Sequence, residues 1–126
     1  MAYRTPLAHV LGLGSAKEGT EHFWKQRLTA VANFFLVCFL IWLLMGLIGA
    51  DYPTVKRTLA RPQNAIGMLL LVLSGVVHMR LGMQTVIEDY VHTQGLRVAA
   101  LMLNSFFVYC IGITCAFAVL KLSLGG

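Results

Sequence analysis

Residues 28–50, LTAVANFFLVCFLIWLLMGLIGA, contain no charged side chain and are long enough, as a helix, to cross the hydrocarbon core of a bilayer. Two further apolar segments follow: 63–79, which continues through Arg80 to residue 90, and 98–120. Inside lipid a backbone must satisfy its own hydrogen bonds, so isolated segments of this kind fold as helices. The sequence therefore predicts an all-α membrane protein with three transmembrane helices, at about 28–50, 63–90 and 98–120.

The overall composition supports this prediction. Of the 126 residues, 58% are hydrophobic and 12% are charged, whereas a soluble domain is about 25% charged. A soluble chain of this size could not bury so much apolar surface in one core. The net charge is +5, but the basic residues are scattered at the ends of the apolar segments, which favours membrane lipid over nucleic acid as the partner.

The chain divides into an N-terminal arm, residues 1–27, and a three-helix transmembrane anchor, residues 28–126. With three spans, the arm and the second loop lie on the same side of the membrane. Six basic residues fall on that side and four on the other: Arg4, Lys17, Lys25, Arg27, Arg80 and Arg97 against Lys56, Arg57, Arg61 and Lys121. The positive-inside rule then predicts a cytoplasmic N-terminus.

His78 lies near the inner end of the second predicted span, where polar groups are costly and therefore informative. At 100° per residue it shares a helix face with Ser74, Gly82, Thr85 and Asp89, and Gly82 would leave room for a flat macrocycle. Three roles stay open: a hydrogen-bonded helix contact, an axial ligand of haem iron and a proton relay. A haem with two histidine ligands would need its second ligand from a partner or a second copy.

Asp89 and Tyr90 lie just past this span, at the depth of the membrane interface. Tyrosines at this depth commonly anchor a helix end among the headgroups. A quinone site is the alternative, because a phenol can donate a hydrogen bond to a quinone carbonyl and a nearby acid can relay protons. Both interpretations stay open on the residues alone.

A motif in this region resembles a known family: His78-x-x-x-Gly82-Met83-x-x-Val86-x-x-Asp89-Tyr90. It is similar to the small haem-binding membrane-anchor subunits of succinate dehydrogenase, respiratory complex II. Residues 12–30, GLGSAKEGTEHFWKQRLTA, are similar to anchor subunits of alphaproteobacteria. The resemblance covers nearly the whole chain.

The resemblance implies a role for each of four residues. His78 would be one axial ligand of a b-type haem, and a histidine of a second, cytochrome b-type anchor subunit would be the other. Tyr90 would hydrogen-bond ubiquinone, and Asp89 would lie beside that site. Arg27 would lie near the haem and quinone end. The two anchors together would complete a haem-binding helix bundle.

The resemblance also implies a complex in the bacterial inner membrane, with succinate oxidised at FAD in a flavoprotein subunit. Electrons would pass through the clusters of an iron–sulfur subunit to ubiquinone, and this chain would anchor the complex without being catalytic alone. Two alternatives are a non-redox membrane scaffold or assembly protein, in which His78 and Asp89 are packing residues, and a proton-coupled transporter. The transporter is disfavoured because Glu88 and Asp89 lie at a membrane edge.

Overall fold

The structure, a computed structural model, describes residues 16–125. It contains four helices in these residues: α1 (Ala16–Gly46), α2 (Tyr52–Ala60), α3 (Pro62–Tyr90) and α4 (Gln94–Ser123). The stretch Gly19–Gly46 of α1 and the whole of α3 and α4 are each long and apolar enough to cross a membrane. Each is about 42–45 Å long, which matches a hydrocarbon core with its headgroup layers. The prediction of three such helices is confirmed.

The bounds of α1 differ from those of the predicted span. The helix begins at Ala16, so residues 16–27 of the N-terminal arm are helical, and an ion pair of 2.9 Å between Lys25 Nζ and Glu21 Oε1 supports this turn. The helix ends at Gly46, and Gly49 follows in the left-handed conformation with φ +76°. Apolar composition therefore located the membrane segment but not the ends of its helix. The part of the arm before residue 16 lies outside the described residues.

Helix α2 occupies the loop between the first two spans and was not predicted. Asp51 caps its N-terminus, accepting a 3.2 Å hydrogen bond from the Thr54 backbone N–H, and Pro53 lies in its first turn. The sequence does signal the start of this helix, because an acidic capping residue stands shortly before a proline. Hydrogen bonds from the Thr54 side chain and then from its backbone hold the pKa of Asp51 below its ordinary value.

Helix α3 is the centre of the arrangement. It packs against α1 and α4, whereas α1 and α4 do not pack against each other within residues 16–125. Large apolar side chains remain exposed, including Phe34 at 67% and Trp42 at 69%. Few of the described residues are buried: Leu43, Asn64, Ala65, Leu81, Ile87 and Val108. Residues 16–125 form no core that could keep these surfaces from water, so lipid or partner subunits must cover them.

Two glycines let α3 approach its neighbours closely. A Cβ atom added to Gly67 of α3 would lie 2.6 Å from Cε1 of Phe39 on α1, and one added to Gly112 of α4 would lie 3.1 Å from Cγ2 of Val76 on α3. Small residues at such positions permit the close helix packing on which association in lipid depends.

We expect Gly67→Ala to destabilise the chain by about 1–3 kcal/mol, because the new methyl group forces the Phe39 ring to move. Gly75→Ala, on the same helix, is the matched control, since nothing lies within 4 Å of its added Cβ. The midpoint of unfolding in a denaturing-detergent titration measures both. Equal midpoints for the two variants would contradict the close approach at Gly67.

We expect Asp51→Ala to increase deuterium uptake in the first turn of α2 at neutral pH, because the cap on Thr54 is lost. The lowered pKa gives the sign of the pH dependence. The cap is fully present above the ordinary value of 3.8 and is lost as pH falls through the lower folded-state value. The difference between the two proteins, corrected for intrinsic exchange, should therefore disappear in strong acid. Identical uptake near pH 7 would contradict a capping role.

Candidate functional site

Two of the residues singled out from the sequence lie at one end of the molecule. The N-terminus of α1, the C-terminus of α3 and the N-terminus of α4 lie on the same side, because α3 runs antiparallel to both neighbours across the membrane. Asp89 and Tyr90 are at this end, whereas Arg27, two residues before Thr29 on α1, lies at the depth of His78, which Thr29 contacts. His78 lies within the membrane, about 18 Å from Tyr90 along the axis of α3.

His78 is half-buried and faces α1. Its Nδ1 atom lies 3.2 Å from Oγ1 of Thr29. One turn earlier on α3, the hydroxyl of Ser74 donates a 3.4 Å hydrogen bond to the backbone carbonyl of Thr29. The other ring nitrogen of His78, Nε2, makes no hydrogen bond within the described residues. It is not completely enclosed by them.

The surroundings of Thr29 assign the protons of this contact. Its Oγ1 lies 2.8 Å from the carbonyl oxygen of Lys25 and 3.1 Å from that of Gln26. A hydroxyl has one proton, and these two acceptors engage it, so Oγ1 accepts from Nδ1–H of His78. With the proton on Nδ1, the lone pair of the ring is on Nε2, the arrangement found in histidines that bind metals. The residues present therefore fit a haem ligand at His78.

Thr29 belongs to a polar stripe on α1 that faces α3: His22, Gln26, Thr29 and Asn33. Their spacing of four, three and four residues keeps them on one face of a helix. Three atoms of the stripe are enclosed without a hydrogen-bond partner among residues 16–125, namely His22 Nε2, Gln26 Oε1 and Asn33 Oδ1. The role of Thr29 was missed from the sequence, although this spacing in an apolar helix would have indicated it.

Gly82 does not leave open space beside His78 on this side. A Cβ atom added to Gly82 would lie 3.4 Å from Nε2 of Gln26, so the Gln26 amide fills the space that we expected a flat macrocycle to use. The reason is that the shared face of His78 and Gly82 points toward α1. Any large group bound by His78 must reach Nε2 from beside this interface.

Asp89 and Tyr90 form the exposed end of α3. Tyr90 is the last residue of the helix and is 79% exposed. Neither its hydroxyl nor the carboxylate of Asp89 makes a hydrogen bond or ion pair within the described residues. Glu88, in contrast, accepts a 2.9 Å hydrogen bond from Nε2 of Gln84 on the exposed helix surface. The Asp89 and Tyr90 side chains are therefore available to a ligand or partner.

The loop after Tyr90 has a defined conformation. The Arg97 side chain donates from Nε to the carbonyl oxygen of Val91 at 2.9 Å, and Nδ1 of His92 lies 3.1 Å from the carbonyl oxygen of Tyr90. These contacts fix the direction in which the chain leaves α3 and therefore the position of Tyr90 at the helix end.

The two arginines near the site have aromatic partners. Arg27 is exposed, with its guanidinium 4.9 Å from the centroid of the Phe23 ring, and it contacts none of His78, Asp89 and Tyr90 within residues 16–125. Arg80 lies 5.5 Å from the centroid of the Tyr109 ring on α4. The structure thus places Arg27 at the depth of His78 and away from Tyr90, and it directs Arg80 away from α1.

A groove of about 550 Å³ lies at the opposite end of the molecule, among residues such as Phe39, Trp42 and Asn64. Asn64 is buried there, and its side-chain amide donates a 2.8 Å hydrogen bond to the carbonyl oxygen of Thr58. His78, Asp89 and Tyr90 do not line this groove. Asp89 and Tyr90 are exposed groups that another surface would have to enclose, whereas His78 is half-buried against α1.

Comparison with known proteins identifies similar chains over nearly the full length. Residues 1–119 match a family model described as "Succinate dehydrogenase/Fumarate reductase transmembrane subunit". The succinate dehydrogenase hydrophobic membrane anchor subunit of Paracoccus denitrificans is 32% identical over 125 residues, 99% of this chain and 96% of that protein. The corresponding subunit of Rickettsia bellii is 34% identical over 95 residues, 75% of this chain and 76% of that protein. These matches confirm the resemblance noted from the motif.

Proposed function

The chain belongs to the family of succinate dehydrogenase/fumarate reductase transmembrane subunits, as a hydrophobic membrane anchor subunit of succinate dehydrogenase, and we propose that it ligates haem b and contributes to the ubiquinone site. In the assembled complex it holds a flavoprotein subunit and an iron–sulfur subunit at the membrane. It pairs with a second, cytochrome b-type anchor subunit to complete the helix bundle. FAD and the iron–sulfur clusters belong to the partner subunits.

One observation carries the haem proposal: Nδ1 of His78 is engaged by Thr29, which leaves the lone pair of Nε2 for iron. A histidine of the partner anchor would supply the second ligand. His22 lies on the face of α1 that packs against α3, about 10 Å from Thr29 along the helix axis. Bound haem b supplies a one-electron carrier within the membrane. His78 supplies the ligand nitrogen, and α1 fixes the orientation of its ring.

The quinone proposal is supported by the exposure of Tyr90 and Asp89 at the end of α3. The Tyr90 hydroxyl donates a hydrogen bond to a quinone carbonyl, and the Asp89 carboxylate holds or transfers a proton nearby. A binding site normally encloses most of its ligand, and a side chain that is 79% exposed cannot do so. The remaining walls of the site are therefore surfaces of the partner subunits.

Arg27 has an electrostatic role at the proposed site. It lies two residues before Thr29 on α1, at the depth of His78, exposed and without an ion pair among the described residues. Its guanidinium can form two parallel hydrogen bonds with a carboxylate such as a haem propionate.

The orientation follows from the distribution of charge. The positive-inside rule places the N-terminal end of α1 and the loop with Arg97 on the cytoplasmic side of the bacterial inner membrane. Tyr90 is then on the side where the flavoprotein and the iron–sulfur protein bind. Electrons from succinate reach quinone there without crossing the membrane.

A non-redox scaffold or assembly protein is the alternative function, favoured by the Thr29–His78 contact alone, because such a contact also holds two helices together. The scaffold would co-purify with membrane proteins that contain neither flavin nor iron–sulfur clusters. The expected result is co-purification with a flavoprotein and an iron–sulfur protein.

We expect His78→Ala to remove most of the b-type haem signal from the purified complex, because the iron loses an axial ligand. The reduced-minus-oxidised absorbance spectrum, normalised to flavin, measures this. His92→Ala is the matched control, an exposed histidine at the end of the same region. A normal haem spectrum in His78→Ala would overturn the ligand assignment.

We expect Tyr90→Phe to lower succinate–ubiquinone reductase activity by about 2- to 13-fold, the effect of losing one hydrogen bond of about 0.5–1.5 kcal/mol. Succinate oxidation with a soluble dye should be unchanged, since the dye does not use the quinone site. Tyr109→Phe, in the middle of α4, serves as the control. Equal losses of both activities in Tyr90→Phe would argue for a structural role.

A further inference from the structure

Thr29 is the residue of α1 that contacts the proposed ligand His78. It is joined to α3 by two hydrogen bonds at successive turns, one between its Oγ1 and Nδ1 of His78 and one from Ser74 Oγ to its carbonyl oxygen. No other described side chain makes a hydrogen bond to the His78 ring. The orientation of the imidazole within residues 16–125 therefore depends on Thr29.

The acceptor atom is held in place from two directions. The Thr29 hydroxyl donates to the carbonyl oxygen of Lys25 at 2.8 Å, with that of Gln26 at 3.1 Å, so Oγ1 cannot rotate away without losing this bond. A threonine in a helix has few χ1 rotamers, and bonding to a carbonyl one turn earlier selects among them. The oxygen lone pair is thereby directed at α3 before any ligand binds.

A hydrogen bond donated by Nδ1–H shifts electron density toward Nε2. It fixes the tautomer and ring orientation of a metal-binding histidine and raises the basicity of the ligating nitrogen. A more basic nitrogen stabilises ferric iron relative to ferrous iron. Hydrogen bonding around the axial ligand is one of the means by which a protein sets the reduction potential of haem.

We propose that Thr29 is a positioning residue for the haem, which orients His78 through the Oγ1 to Nδ1–H hydrogen bond and lowers the midpoint potential of the haem iron. This inference rests on the proposed role of His78 as a ligand. The hydroxyl of Thr29, rather than its size, carries the effect.

The test uses the purified four-subunit complex with Thr29→Val, which keeps the shape of the side chain without the hydroxyl, and Thr29→Ser, which keeps the hydroxyl. Thr114→Val is the matched control, because Thr114 on α4 makes a comparable 2.7 Å bond to the carbonyl oxygen of Cys110 and no bond to a histidine. The measurements are the haem content, the midpoint potential in a redox titration and the electron paramagnetic resonance spectrum of the ferric haem.

The expected result is that Thr29→Val retains haem with a more positive midpoint potential and a shifted ferric spectrum. Thr29→Ser and Thr114→Val should match the unsubstituted complex. If Thr29→Val loses haem, retention of haem with a normal midpoint potential in Thr29→Ser still supports a role of the hydroxyl.

Two results would overturn the inference. The first is an unchanged potential and ferric spectrum in Thr29→Val. The second is loss of haem in both Thr29→Val and Thr29→Ser, which would assign the effect to packing. A normal haem signal in His78→Ala would instead overturn the proposed function. That result differs from both outcomes for the Thr29 variants, so the two failures can be told apart.

Discussion

Lipid offers no hydrogen-bond partner, and the rest of this structure depends on that constraint. Each span must be a helix, because only a helix satisfies its backbone polar groups within one segment. Some polar side chains inside the spans bond to nearby carbonyl oxygens, as Thr114 does on α4, and others meet a partner across a helix interface, as Thr29 and His78 do. Apolar side chains need no enclosure, so α1 and α4 can flank α3 without closing a core.

The open arrangement of the helices and the incomplete site have a common explanation. The two neighbours of the central helix do not meet within residues 16–125, which leaves helix faces for further subunits, and Asp89 and Tyr90 are exposed at the end of α3. The anchor role shown by the family accounts for both features. Haem and quinone, in the proposed function, lie where the faces of this chain meet those of its partners.

The sequence predicted the membrane segments well because hydropathy is a local property of about 20 residues. It predicted the ends of the helices less well. The apolar stretch after Gly46 turns at Gly49, and the polar stretch before residue 28 is helical. Helix α2 was missed although Asp51 and Pro53 signal its start, because hydropathy does not detect short polar helices.

The sequence by itself determined that this is a three-span membrane chain of the succinate dehydrogenase anchor family, and that His78 and Asp89 share one side of α3. It could not determine what that side faces. Only the tertiary structure decided that α1 covers this side at His78 and Gly82, through Thr29 and Gln26, and leaves Asp89 exposed. The physical reason is that a helix can rotate about its axis without changing its hydropathy, so contacts between residues 49 positions apart depend on packing, which no local pattern encodes.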